Sequence, residues 1–303
     1  MSSFLEQYGK ALFILVLIAI LIAFAGPLGL KIKNATTDKV SQTEEIGCDE
    51  ISAAVGKSDD SETGGNARPA EPAEAVDQVY CIYYDDGEMT ISQNEIESES
   101  GRNVEKQGFY SKPYNCTTEM TTAKFEGAVK PKSCSWWFYN CTKLTEIKNI
   151  KNLYTNECVS MYQMFSDCSS LTNLDLSAFD TSKVTDMSEM FTNCSSLTNI
   201  DVKGFDTSNV TTMFYMFCGC SSLTSLDLSG FNTLKLTSMN SMFRSCSNLK
   251  SIDLSGFNVS KVTNMSLIFY ACNNLKSITA TQTVKDKILS KNSVPSDVTW
   301  IIK

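Results

Sequence analysis

No histidine occurs among the 303 residues. Its absence removes the commonest general base and the commonest zinc ligand, and with them the histidine-dependent serine and cysteine hydrolases. Basic residues are also in short supply. Lys and Arg number 26 against 34 Asp and Glu, a net charge of −8, so no basic footprint for a nucleic-acid partner is present. No cell-wall sorting motif stands at the C-terminus, and no cysteine closely follows the apolar N-terminal run. Neither a wall-sorted nor a lipid-anchored protein is expected, and attachment is expected to rest on the N-terminal segment. What is present is otherwise ordinary for a globular chain: 42% apolar and 20% charged residues, enough for one or two domains. Cysteine is the exception. Twelve of them imply either an oxidising compartment or a repeated core position.

Ala11 to Leu30 carries no charge and is closed by Lys10 and Lys31. Twenty helical residues span roughly 30 Å, the thickness of a bilayer core. The segment reads as a retained membrane anchor. Ala23-Phe24-Ala25 after the apolar run leaves a cleaved signal peptide, and hence a secreted protein, as the alternative. Lys31, Lys33 and Lys39 weakly favour a cytoplasmic location for the rest of the chain, in conflict with the oxidising compartment that the cysteine content suggests. Beyond the anchor the chain turns small and acidic, and a stretch so poor in apolar residues reads as a flexible spacer.

Farther on, Cys168, Cys194, Cys220, Cys246 and Cys272 fall at a constant step of 26 residues. The units between them are near-identical, beginning CSSLTNLDLSAFDTSKVTDMSEMF, and a divergent unit from Cys141 precedes them. A fixed period of this length is the signature of a solenoid. Leu174 and Leu176 suggest a short strand with alternate faces. Asp180, Asp206, Asn232 and Asn258 mark a turn through hydrogen bonds to their own backbone. Met187, Met190, Phe191, Cys194 and Leu197 recur at 0, +3, +4, +7 and +10, which predicts a helix begun at Thr185-Asp186. Each unit is then strand, turn and helix, stable only when stacked. The Met-Phe stripe is core, and the cysteine column reads as buried thiols, because parallel Cβ vectors disfavour bonding between neighbouring units, with disulfides or a metal site as the alternatives.

Asp175, Asp201, Asp227 and Asp253 form a second column, expected to point outward together with Asn173, Asn199, Ser225 and Ser251. Like charges opposite one another on adjacent strands are destabilising. The column therefore reads either as a solvated face, as a ligand-facing strip or as a set of cation sites. Val79 to Ser92 reads as a hairpin about Asp85-Asp86-Gly87, capping the stack. Trp137-Phe138 already takes the Met-Phe place. Trp136, Trp137, Tyr83 and Tyr84 are expected in the core or cap, with a binding patch as the alternative. At the far end, 283–292 reads as a short helix and 298–302 as a closing strand.

The consensus CSSLTSLDLSGFDTSKVTDMSxMF resembles the repeat of BspA-type leucine-rich-repeat bacterial surface proteins. That resemblance covers roughly 122–280, and SWWFYNCTKL resembles the lead-in segment such proteins carry. It implies an α/β solenoid: a leucine-rich-repeat stack of strand–helix units with an N-terminal β-hairpin cap, preceded by one transmembrane helix. The expected domains are a membrane segment (1–33), a flexible acidic linker (34–76), a cap (77–140), the repeats (141–280) and a C-terminal cap (281–303). It further implies a cell-surface, membrane-anchored, non-catalytic binding or adhesion protein with an unknown protein or glycan ligand, and no cofactor or metal. A structural or assembly role in a surface or secretion apparatus is the alternative. A hydrolase with paired carboxylates would need a cleft, which a column on an open face does not supply.

Overall fold

The structure, a computed structural model, describes residues 68–115, 117–290 and 294–303. The expected membrane segment and residues 34–67 of the expected linker lie outside the described residues. Among the described residues no helix is long and apolar enough to cross a membrane.

The alternating VYCIYY and EMTIS segments form the expected hairpin, β1 (Val79–Tyr84) and β2 (Glu88–Ser92), antiparallel with Cys81 opposite Ile91. Gly87, at φ 89°, makes the turn, and an added Cβ there would meet the Thr121 hydroxyl at 2.7 Å. β3 (Val104–Tyr110) pairs antiparallel with the other edge of β1. β4 (Thr122–Phe125) and β5 (Glu146–Lys148) then continue the sheet in parallel, giving the order β3-β1-β2-β4-β5. The hairpin is thus also the first layer of the solenoid, since β2 occupies the place that later coils give to their leucine strand. Arg102 pins the cap turn. Its guanidinium lies 3.7 Å above the Tyr84 ring and pairs with Asp86, Glu88 and Glu99 at 2.6, 2.9 and 3.1 Å.

Residues 68–76, placed in the linker by their composition, are bound to the stack instead. Arg68 packs 3.7 Å over the Tyr154 ring, Glu71 pairs with Lys130 at 2.8 Å, and Val76 bridges Pro131 in parallel. A few specific partners thus hold a segment whose apolar residues, Val76 apart, are only alanine and proline.

From Cys141 onward the chain winds in coils. Isolated parallel bridges join Ser160, Asp186, Thr212, Ser238 and Asn264 in succession, each link 26 residues long. At the C-terminal end β6 (Ser251–Asp253), β7 (Ser277–Ala280) and β8 (Thr299–Ile302) form a parallel sheet in that order. The expected short helix is α1 (Gln282–Leu289), capped by the Thr281 hydroxyl accepting from the Val284 N–H at 3.3 Å.

The helix expected in each repeat is not there. The Met187–Cys194 run is a succession of turns, and so are its counterparts in the other coils. The reason lies in the backbone. Glu189 and Asn193 adopt left-handed φ values of 56° and 57°, as do Tyr215 and Gly219, Ser241 and Ser245, and Leu267 and Ala271. A left-handed residue every fourth position breaks an α-helical path. The N–H groups of Met190, Thr192 and Cys194 close local turns on residues three back, at 3.4, 3.1 and 3.2 Å. The alternate donors, on Met187, Glu189, Phe191 and Asn193, reach Thr212, Phe214, Met216 and Cys218 in the next coil at 3.2, 2.9, 2.9 and 2.7 Å. Consecutive turns bury positions 0, +3, +4 and +7 just as a helix does, so the apolar spacing is the same. The repeats therefore build a β-solenoid rather than a strand–helix stack.

The core is a set of columns. Phe138, Phe165, Phe191, Phe217, Phe243 and Phe269 stack nearly parallel, with centroids 5.4 to 6.0 Å apart. Beside them the cysteine column is buried and unbonded. The Cys168, Cys194, Cys220, Cys246 and Cys272 thiols donate to the carbonyls of Phe138, Phe165, Phe191, Phe217 and Phe243 at 3.1, 3.1, 3.1, 3.0 and 2.9 Å. Each thiol adds a second bond to a carbonyl of the preceding coil that already accepts the N–H of the cysteine three residues on.

Candidate functional site

The leucine-strand face carries the only column of charge expected from the sequence. Asp175, Asp201, Asp227 and Asp253 are exposed there, and so are Asn173, Asn199, Ser225 and Ser251. The structure brings all eight onto one face. Each carboxylate also does local work: its Oδ1 accepts the backbone N–H two residues on, from Ser177, Lys203, Ser229 and Ser255, at 3.0, 3.1, 2.9 and 2.8 Å. These are Asx turns that bend the chain out of the strand. Lys203 pairs with Asp227 at 3.0 Å and Lys303 with Asp253 at 2.8 Å.

Expected repulsion within the column is outweighed. Hydrogen bonds from the Ser229 hydroxyl and N–H, then from the Lys203 ammonium, hold the Asp227 carboxyl down at about 2. The Ser177 hydroxyl and N–H likewise lower Asp175. At Asp253 partial burial opposes ionisation, but Lys303 and Ser255 more than offset it. Among the described residues no strand forms at 173–175, 199–201 or 225–227; ladder pairing, present from β2 to β5, resumes at β6, where Asp253 faces Thr279. A shallow groove between two coils is lined by Leu226, Asp227, Ser229, Asp253, Ser255 and Phe257.

Two features of the site region escaped the sequence reading. One is a threonine ladder at the D-T and N-T corners. Thr155, Thr181, Thr207 and Thr233 are buried, and their hydroxyls donate to the carbonyls of Asp180, Asp206, Asn232 and Asn258 at 2.9, 3.1, 3.0 and 3.1 Å. The N–H groups of Asp180, Asn232 and Asn258 return a bond to the same hydroxyls at 2.9, 2.7 and 2.7 Å. Where the next coil gives way to α1, the column ends in Val259. The signal was in the sequence, a Thr after each turn residue that becomes Val in FNVS, but its meaning depends on the neighbouring coil.

The other is an aromatic strip on the turn face. Trp136 meets Tyr162 edge-on at 5.2 Å, and Tyr162 lies 6.3 Å from Phe214. Gln163 joins Trp136 Nε1 to Glu189, donating to it at 2.7 Å, and Lys112 Nζ sits 3.6 Å over the Trp136 ring. Of the four aromatics considered for a patch, Trp137, Tyr83 and Tyr84 are core, and only Trp136 reaches this strip. Among the described residues no cluster of three or more acidic or cysteine side chains is arranged to hold a metal ion.

No curated protein matches the chain. Among solved structures, a leucine-rich repeat protein from Bacteroides ovatus ATCC 8483 is 16% identical, with 69% of this chain and 71% of that one covered at a TM-score of 0.27. The family described as "Mycoplasma protein of unknown function, DUF285" matches twice, over residues 132–226 and 198–292. The two matches overlap within the stacked coils and together run from the cap's last turn through α1, more than half of the chain. The protein whose coils carry these columns therefore belongs to the DUF285 family.

Proposed function

We propose that this chain is a non-catalytic, membrane-anchored protein of the cell surface, of BspA type, whose solenoid binds a protein partner through the leucine-strand face. The observation that carries the reading is the column itself. Asp175, Asp201, Asp227 and Asp253 stand exposed at one place in four successive coils, flanked by Asn173, Asn199, Ser225 and Ser251. Stacked coils repeat at roughly the strand spacing of about 4.8 Å, so the face is a ruler of negative charge suited to a basic protein patch. The Ala11 to Leu30 segment would supply the anchor, and the resemblance of the repeats to those of bacterial surface proteins favours the outside of the cell over the orientation suggested by Lys31 and Lys33.

Two measurements test this. On intact cells, added protease should remove the repeats while sparing the N-terminal end; full protection of the repeats overturns the surface placement. For the face, binding of the purified full chain to a panel of extracellular-matrix proteins should weaken with salt. Asp201→Asn with Asp227→Asn keeps both turns and removes two charges. The double variant should bind severalfold more weakly and with a shallower salt dependence. Binding equal to the parent's would move the contact to the Trp136, Tyr162 and Phe214 strip, and association with its own copies alone would assign an assembly role instead.

A further inference from the structure

The repeat allows each buried position to be compared along the stack. Met161, Met187, Met213 and Met239 lie in one column, and the aliphatic residues at the matching place of the next coil, Val184, Val210, Leu236 and Val262, lie in another, all buried. One layer earlier the same two places are held by Cys134 and Cys158. Both departures from the repeat are to cysteine, they occur in the same layer, and they face each other. Their Sγ atoms are 2.7 Å apart. That is closer than two unbonded sulfur atoms sit comfortably, and longer than the roughly 2.0 Å of a disulfide bond.

The surroundings separate this pair from the other cysteines. Every thiol of the column from Cys168 to Cys272 is held by a phenylalanine carbonyl of the preceding coil. Cys158 Sγ has a bond of 3.4 Å to the Pro131 carbonyl, and among the described residues the hydrogen-bond partner of Cys134 Sγ is Cys158 and no carbonyl. The two segments are already in register, since the Cys134 N–H donates to the Ser160 carbonyl at 3.1 Å and the Val159 N–H to the Lys132 carbonyl at 3.2 Å.

We propose that Cys134 and Cys158 form a disulfide that ties the cap to the first coil. The reaction is exchange with a small-molecule disulfide. Two thiols and RSSR become one intramolecular disulfide and two RSH; the S–S bond of RSSR breaks, and each RS group leaves with one of the two protons. Both cysteines are fully buried once folded, and burial pushes the Cys134 thiol well above its ordinary range. Exchange therefore belongs to folding, before the first coil closes, and the finished bond is shielded from reductant.

Peptide mapping tests this on the full chain, folded with glutathione and oxidised glutathione, then denatured and alkylated before digestion. The expected product is a cross-linked pair containing Cys134 and Cys158, two mass units lighter than the separate peptides and released by reductant. Alkylation of both residues without reduction, or a cross-link from either to another cysteine, overturns the proposal. A second variant guards against a folding failure: Cys134→Met with Cys158→Val, the pair used by the other coils. It should fold and melt at the same temperature with and without reductant present during folding, whereas the parent folded with reductant should melt lower. An equal reductant effect on both proteins also overturns the proposal.

Discussion

Thr207 shows how a single hydroxyl can matter in this fold. It donates to the Asn232 carbonyl at 3.0 Å and accepts from the Asn232 N–H at 2.7 Å. Thr207→Val is almost isosteric but leaves the part-buried N–H and C=O of Asn232 without their partner. Chemical denaturation should show a loss of about 1–3 kcal/mol, with Thr207→Ser keeping most of it. A loss below experimental error would show that water replaces the hydroxyl. Leu267 makes the opposite case. It holds a left-handed φ of 57° while more than a third exposed, where a branched side chain is strained and asparagine is tolerated. Leu267→Asn should therefore raise the melting temperature, by up to about 1 kcal/mol of stability. A lowered midpoint would mean that the exposed leucine packs more than it strains.

The element that carries the repeat is the turn run, and its stability comes from neighbours. Phe217 stacks on Phe191 at 5.5 Å and Phe243 at 6.0 Å, within a wholly buried column. Phe217→Ala opens a cavity in the middle of the stack and should cost roughly 3–5 kcal/mol. Since each coil is supported only by those beside it, the damage should spread. Hydrogen exchange should quicken in the coils on both sides, not only in the mutated one; loss of protection confined to one coil would contradict that coupling. The spacing of Met187, Met190, Phe191 and Cys194 was legible as a buried stripe. Its path was not, because turns closed on residues three back bury the same positions as a helix. The choice is made by N–H groups that bond 25 residues away, in a coil that a local reading does not see.

For the whole molecule the buried thiols and capping carboxylates set the pH range of stability. Burial pushes the Cys272 thiol up to about 12 and holds Cys168, Cys194, Cys220 and Cys246 well above the ordinary thiol value of 9.0. Below pH 9 folded and unfolded chains carry the same protons at these sites. Above it the unfolded thiols ionise first, so stability is lost as pH rises from 9 toward 12, at up to about 1.4 kcal/mol per thiol per pH unit. At the acid end the sign is reversed. Asp175, Asp206, Asp227 and Asp253 lie below the usual 3.8. Their contribution is present above pH 4 and disappears as pH falls toward 2. Melting temperature against pH should thus show a plateau between these limits. A flat profile from pH 9 to 11 would contradict the burial of the cysteine column.

The period, the hairpin at 79–92, the core identities of the Met, Phe and Cys columns, and the outward Asp column could be read from the residues alone. Each depends on interactions within a few residues or on plain repetition. Three things depended on the coils meeting. The turn run replaced the helix because its alternate donors find partners in the next coil. Residues 68–76 joined the fold because Tyr154, Lys130 and Pro131 were brought to them. Cys134 and Cys158, 24 residues apart and inconspicuous in sequence, face each other only because successive coils place the Met and Val positions side by side.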